Sequence, residues 1–523
     1  MASILTNTSA MVALQNLRTI NSDLVDTQNQ IATGKKISTA KDNSAIWAVS
    51  KVIESDVNSF QAISGSLNLG DSTVAVAREA AETVTDLLTQ LKGNIVTAQE
   101  ENVDRSKIQA DIDTSVEQIQ SIVSAASFNG LSLVEGTDEV SILGSLQRDS
   151  TGVVTSSEIG ISRNDLTTNA GTYNSAGTQL ADSSTGTAAL NTLLSGTSIA
   201  DTGNTATITF EAGTGGTGSD EYAASDTVSL TVGGVEAEFT AAGGETIADV
   251  AAYFEGQINA LGIEGVTAAV GAGDVLEITS ANAFSGVDVA ISGSNAAFDA
   301  TQITALNGDT GLTETSGTIA QRAESITFSD TAAVSDGDGY QASFGGNTFR
   351  YVAGPNENFE DVARGLKAAI DSGNVAGITT SVSQDATTGA WVLSIDNSGT
   401  TPATLAVDGR AGGVASGGLF GLEGIDVTTN DGATAALANV DTFINTAIDA
   451  AASFGSDQSR IDLQSGFITK LTDSLKAGIG SLVDADLEAA SARLQALQVQ
   501  QQLGTQSLSI ANQAPQSILA LFR

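Results

Sequence analysis

The sequence predicts an α+β chain of several domains, in which the two ends supply antiparallel helices and the middle supplies two mainly β domains with one helix each. Three observations predict this. Long apolar patterns of three-four spacing occupy both termini. Residues 141–440 are rich in Ser, Thr, Gly and Ala and contain a single lysine, Lys367. Within that middle, one block of residues recurs at a fixed offset of 112.

The first helical stripe runs through Ala10, Leu14, Leu17, Asn21, Leu24, Gln28 and Ile31. Gly34 ends it, and Lys35 and Lys36 stand where cations favour the negative end of the helix dipole. After a loop over residues 34–43, a second stripe steps through Ile46, Val49, Ile53, Asp56, Phe60, Ile63, Leu67, Gly70, Val74, Ala77, Ala81, Val84, Leu88, Leu91, Ile95 and Ala98. Only Asp56 and Gly70 break its apolar character, although apolar residues make up 41% of the chain. A 3.5-residue repeat keeps one stripe facing a partner, and at ~1.5 Å per residue the helix is roughly 80 Å long. Ile108, Ile112, Ser115, Ile119, Ile122 and Ala126 predict a third helix that stops at the turn signal Asn129-Gly130. Alternation in the stretches VSILGSLQ and VVTSSEIGIS then predicts a hairpin over residues 139–162.

At the other end a stripe passes through Leu487, Ala490, Leu494, Leu497, Gln501, Gly504, Leu508, Ala511, Pro515 and Ile518. Both terminal stripes place amides among aliphatics, which weakens packing but restricts register and partner choice. Residues 163–203 are polar and read as a linker.

Three segments carry a family resemblance: ILTNTSAMVALQNLRTINSDLVDTQNQIATGKKIS near the start, SFNGLSLV at 127–134, and the closing ANQAPQSILALFR at 511–523. In this order they resemble bacterial flagellin. The resemblance implies a filament subunit with an inner coiled-coil core from residues 1–42 and 480–523. It implies a helical shell from residues 43–165 and 440–479, and an outward-projecting middle. It also implies extracellular assembly into a homopolymer after export without a cleaved signal, with an export chaperone, a hook-filament junction protein and a filament cap as partners. The family's innate-immune recognition motif falls on Thr89-Gln90-Leu91-Lys92-Gly93-Asn94-Ile95. Only Lys92 is basic there, so weak receptor recognition is expected.

Composition narrows the alternatives independently. The 523 residues include no cysteine and no histidine, which excludes disulfides, thiolate zinc sites, Ser-His triads and imidazole bases. A net charge of −40 disfavours nucleic acid and anionic membranes as partners. No run of eighteen or more apolar residues predicts a membrane span. Acidic pairs such as Asp484 with Asp486, or Glu100 with Glu101, lie on or beside helical patterns and read as solvated charge. No catalytic residue, cofactor or metal site is assigned.

The duplication in the middle is legible from spacing. Thr231 to Gly234, Phe239, Asp249 to Ala251, Ile258 and Val266 recur as Ser343 to Gly346, Tyr351, Asp361 to Ala363, Ile370 and Ile378. Each unit reads as strand, Gly-Gly turn, strand, amphipathic helix and second hairpin, and slippage of the offset falls only in loops. The units resemble inserts of some flagellins and hook-associated proteins; the first spans residues 166–320 and the second 321–439. Residues Gly215 to Ala223 fit one copy of a calcium-binding nonapeptide that works by stacking many copies, so a chance loop is the expectation. Asp336-Gly337-Asp338-Gly339 lacks the remaining ligands of a calcium loop.

Assembly is therefore the predicted function, with the terminal helices ordered by polymerisation. Its expected seam sets Leu14, Leu17, Leu24 and Ile31 against Leu494, Leu497, Leu508 and Ile518. Two rival readings are a hook-filament junction protein and a calcium-dependent secreted adhesin.

Overall fold

The computed structural model describes residues 7–148, 153–180, 197–199, 203–210, 221–293, 301–330, 332–399 and 401–521. The chain divides into two units, one of Met1–Val74, Val140–Ile161 and Ser456–Arg523, the other of Ala75–Glu139 and Ser162–Gly455. The fold is α+β and multidomain, with long helices at both ends and small antiparallel sheets in the middle.

Seven α-helices appear among the described residues: α1 (Thr8–Thr33), α2 (Ser44–Ala98), α3 (Arg105–Ala125), α4 (Ile247–Leu261), α5 (Phe359–Ser372), α6 (Asn430–Val483) and α7 (Leu487–Leu521). Asn7 caps α1 by accepting from the Ala10 amide, and Gly34 ends it in the left-handed conformation at φ 68°. The α2 stripe is buried from Phe60 onward, with Ile63, Leu67, Val74, Leu88, Leu91 and Ile95 inaccessible. Its first turns depart from the expected seam: Ser50 and Val57 are buried, whereas Val49 remains 51% exposed. A 3.6-residue helix drifts against a strict heptad, so the covered face is one residue out of phase there.

The first unit contains the hairpin of β3 (Val140–Arg148) and β4 (Val154–Ile161). Ile142 of β3 sits over Gly70 of α2, where an added Cβ would stand 2.2 Å from its Cδ1. On α6, Arg460 donates to the Gly160 carbonyl at 2.6 Å and Gln464 to the Gly144 carbonyl at 2.9 Å. The one apparent flaw in the α2 stripe, Gly70, is thus a socket for the hairpin.

The second unit contains buried stripes of α2, α3 and α6, with Ile112, Ile119 and Val123 from α3 and Ala433, Val440, Phe443 and Phe454 from α6. Here α6 is a 54-residue helix that the sequence reading did not identify as such. The short pair β1 (Ser127–Phe128) and β2 (Leu131–Ser132) turns through Asn129 and Gly130, both at positive φ, as the Asn-Gly signal predicts.

The duplication is explicit in sheet order. In the first copy, β6 (Asn204–Thr209), β10 (Leu276–Ser280) and β9 (Val266–Val270) run as β6-β10-β9, and β11 (Val287–Gly293), β7 (Thr227–Val232) and β8 (Val235–Thr240) as β11-β7-β8. In the second, β15 (Glu324–Thr327), β19 (Trp391–Asn397) and β18 (Ile378–Gln384) run as β15-β19-β18. Its other sheet sets β20 (Ala403–Arg410), β16 (Gly339–Phe344) and β17 (Asn347–Val352) as β20-β16-β17. Each copy buries its single helix: Val250, Phe254 and Ile258 of α4, and Val362, Leu366 and Ile370 of α5.

Matched positions repeat down to their hydrogen bonds. Thr246 and Asp249 form a capping box on α4, and Asn358 and Asp361 form one on α5. The Asp226 carboxylate accepts from Ala223 N at 3.0 Å, and Asp338 accepts from Ser335 N at 2.8 Å. Asp338 of the Asp-Gly-Asp-Gly stretch is therefore the second copy of a buried turn. Among the described residues no group of three or more metal-ligating side chains is assembled. Residues 211–220, which hold most of the nonapeptide, lie outside the described residues.

Two features correct the sequence reading. The described part of the polar stretch 163–203 is not a free linker, because its backbone bonds to the second copy: Thr172 N to Val414 O at 2.8 Å and Leu180 N to Gly409 O at 2.9 Å. In addition β5 (Thr197–Ile199) pairs with β20, so a segment inside the bounds 166–320 expected for the first copy completes a sheet of the second. The first copy also carries β12 (Gln302–Leu306) and β13 (Asp309–Glu314) on a sheet edge, strands without a matched partner in the second, and β14 (Ser316–Ile319), which flanks β11 as β5 flanks β20.

Candidate assembly interface

The interface begins with the pairing of α1 and α7 inside the first unit. Asn7, having capped α1, donates its amide to the Ala511 carbonyl at 2.9 Å, which joins the two helices near their far ends. Further along, Gln501 donates to Asn21 at 2.7 Å, so the amides that interrupt the two apolar stripes meet each other. A pair of this kind fixes register, because sliding either helix by a turn strands a polar group among aliphatics. Arg493 and Asp23 approach to 3.8 Å, an exposed pair that adds little. Gly504 lets the helices close up: a Cβ there would stand 3.2 Å from Leu17 Cδ1.

At the opposite end the backbone does the joining. Lys36 N donates to Val483 O at 2.6 Å and Ala485 N to Gly34 O at 2.9 Å, which ties the turn after α1 to the turn between α6 and α7. Asp42 accepts from the Ser38 and Thr39 amides, and these bonds hold its carboxyl below the usual range.

Of the predicted seam residues, Leu497 is buried at 6% exposure, Leu17, Leu24, Ile31, Leu494 and Leu508 are half-buried, and Leu14 is 39% exposed. Ile518 belongs to α7, but its side chain lies outside the described residues. Thr27, buried by bonding back to the Asp23 carbonyl, was not anticipated as a seam member. Nor was a second set of apolar side chains left in water on the same helices: Met11, Val12 and Val25 on α1, and Val499, Leu503 and Ile510 on α7. A second stripe beside the first would have revealed them.

A separate cavity of about 440 Å³ in the second unit is lined by Arg163, Asn164, Tyr351, Glu357, Asp361 and Asp449, among others. The Tyr351 hydroxyl lies 2.9 Å from both Glu357 carboxylate oxygens. Burial nonetheless pushes the Glu357 carboxyl up to about 7, against the Tyr351 hydroxyl and the Gly354 amide, which pull it down. The folded chain keeps this proton up to about pH 7 and the unfolded chain loses it near 4.5, so stability falls as pH rises through that window. Glu357→Gln should remove about 1–3 kcal/mol of that pH dependence. Urea melts at pH 5 and pH 8 measure it, and an unchanged pH slope would contradict the assignment. Burial raises Asp361 as well, whereas its exposed counterpart Asp249 is lowered by the Thr246 amide, so the two copies use one capping carboxylate in opposite environments.

Residues 4–139 match the family described as the bacterial flagellin N-terminal helical region, and residues 437–522 match its C-terminal helical region. Flagellin D of Rhizobium meliloti (strain 1021) is 30% identical over 530 residues, covering 100% of both chains. Flagellin A of Rhizobium meliloti is 29% identical over 528 residues, again with 100% coverage of both. Flagellin FljO of Caulobacter vibrioides is 42% identical over 138 residues, 26% of this chain and 50% of its own. A crystal structure of flagellar hook associated protein-3 from Legionella pneumophila aligns over 83% of this chain and 98% of its own, at 10% identity and a TM-score of 0.31, too low to bear on the fold.

Proposed function

This chain belongs to the bacterial flagellins and is a structural subunit of the flagellar filament; from that premise we propose that α1 and α7 carry its polymerisation. The observation that carries this reading is the row of exposed apolar side chains on the paired helices, Met11, Val12, Val25, Val499, Leu503 and Ile510. Apolar side chains left in water on both members of a helix pair call for further packing, and neighbouring copies supply it. The seam of Leu14, Leu17, Leu24 and Ile31 with Leu494, Leu497, Leu508 and Ile518 becomes ordered in that event. Association of this type is heterologous, and a rotation that does not close produces a helical filament.

In this account residues 1–42 and 480–523 form the inner core, residues 43–165 and 440–479 the shell, and residues 166–320 and 321–439 the two outer domains, the second completed by the stretch around Thr172 and Leu180 and by β5. The chain is met by an export chaperone, and abuts a junction protein and a cap at the ends of the filament. Among the described residues no helix is long and apolar enough to cross a membrane. Electron microscopy after seeding with filament fragments tests the reading: long filaments support it, and short caps or calcium-dependent aggregates contradict it.

Recognition by the flagellin-sensing innate-immune receptor should be weak. Lys92, the basic residue of its stretch of α2, is already engaged by Asp441 at 2.6 Å. A receptor reporter assay giving the potency of a standard activating flagellin would remove this expectation.

A further inference from the structure

Six of the nine lysines in the chain, Lys35, Lys36, Lys41, Lys51, Lys470 and Lys476, fall in two short stretches of the first unit. Lys35, Lys51 and Lys476 line one cleft of about 290 Å³, together with Ile37, Trp47 and Glu54. All six lysines are exposed, and among the described residues only Lys51 has a carboxylate within ion-pair distance, Glu54 at 2.7 Å. The cleft thus holds three cations and one carboxylate in a chain of net charge −40. Such a local reversal of sign costs self-repulsion among the lysines and is relieved by an acidic partner.

We propose that this cleft receives the Glu100-Glu101 turn of a second copy of this chain, joining copies head to tail. The proposal rests on the assembly reading above and adds a contact outside the α1–α7 seam. Glu100 and Glu101 are exposed and, among the described residues, have no cation within ion-pair distance. They follow the last turn of α2, whereas the lysine-rich loop precedes its first turn and Lys51 lies just inside it. Displacement of one copy along the α2 direction therefore carries the acidic turn of one copy toward the basic cleft of the next. Two different patches meet in such a contact, so it repeats without closing. Asp484, Asp486 and Glu488 are poorer occupants, because they follow Val483 on the rim of the same cleft and move with it. Ile37 and the Trp47 ring give the cleft an apolar wall, which reduces screening of the charges it holds.

Seeded growth of four full-length chains tests the contact at about 0.02 M and about 0.5 M salt. The chains are wild type, Lys35→Glu/Lys51→Glu/Lys476→Glu, Glu100→Lys/Glu101→Lys, and all five changes together. At low salt each partial reversal should raise the critical concentration about tenfold or more, and the complete reversal should return it to within about threefold of wild type. High salt should narrow these differences. A Lys→Gln version of the triple variant, with circular dichroism matching wild type, guards against misfolding and should show a smaller rise. Normal growth of either partial variant overturns the proposal, as does a complete reversal no better than its parts. Failure of the wild type to extend seeds would instead overturn the assembly reading itself.

Discussion

Leu497→Asp abolishes filament growth while leaving the β domains folded. Leu497 is the most buried of the described seam residues at 6% exposure, on a helix pair whose interrupting amides Gln501 and Asn21 are already matched to each other. The cation one turn away, Arg493, is 62% exposed and stands beside Asp23, and a charge buried without a close partner costs several kcal/mol. If polymerisation buries the seam further, about 3 kcal/mol raises the critical concentration roughly a hundredfold. The second unit has its own cores around Phe254 and Leu366, so the emission of Trp391 on β19 and its thermal transition should be unchanged. Sedimentation that recovers normal filaments from the variant would refute the seam.

Lys367→Ala should destabilise the second β domain by about 3 kcal/mol, lowering its melting temperature by roughly 6–12 °C. The lone lysine of residues 141–440 is not a solubility residue: its side chain is 7% exposed, and its Nζ donates to Asp371 at 2.6 Å and to Asn439 of α6 at 2.8 Å. Thr380 of β18 donates to the other carboxylate oxygen of Asp371, and Asn439 donates back to the first at 2.9 Å. One buried carboxylate therefore joins α5, β18 and α6. Removing the cation leaves it charged in a dry site, whereas Lys367→Met/Asp371→Leu/Asn439→Leu/Thr380→Val also removes the carboxylate with its Asn439 and Thr380 donors and should recover much of the loss. The first copy has Glu255 and Asn259 at the matched positions, and Asn259 instead bonds to the Ala268 backbone. Calorimetry giving the single and quadruple variants equal melting temperatures would contradict this account.

How far these features were legible depended on the kind of signal each leaves. The α2 stripe was read because Ile63, Leu67, Val84, Leu88, Leu91 and Ile95 are large and evenly stepped. Helix α6 buries Ala433, Ala436, Val440, Phe443, Ala447, Ala450 and Phe454 at the same three-four steps, yet its alanines blend into the Ala-rich middle that precedes them. The two copies were legible because their turns and helix caps demand particular residues at fixed spacing. Strands β12 and β13 were missed because a feature carried by one copy leaves no offset to detect, and β14 because its counterpart β5 comes from a different place in the chain. At the interface, spacing exposed the leucines, but the Asn7 bond to Ala511 and the Asn21 bond to Gln501 join residues 504 and 480 positions apart. Periodicity along one helix has no means of naming such partners.

Hydrogen exchange of α1 and α7 in the free subunit and in the filament tests the central claim most directly. In the free subunit the half-exposed seam should let amides of both helices exchange at nearly unprotected rates, while the cores around Phe254 and Leu366 stay protected. In the filament, protection of both helices should rise about a hundredfold or more as neighbouring copies cover them. Equal protection of α1 and α7 in the two states would contradict an interface that is completed by assembly.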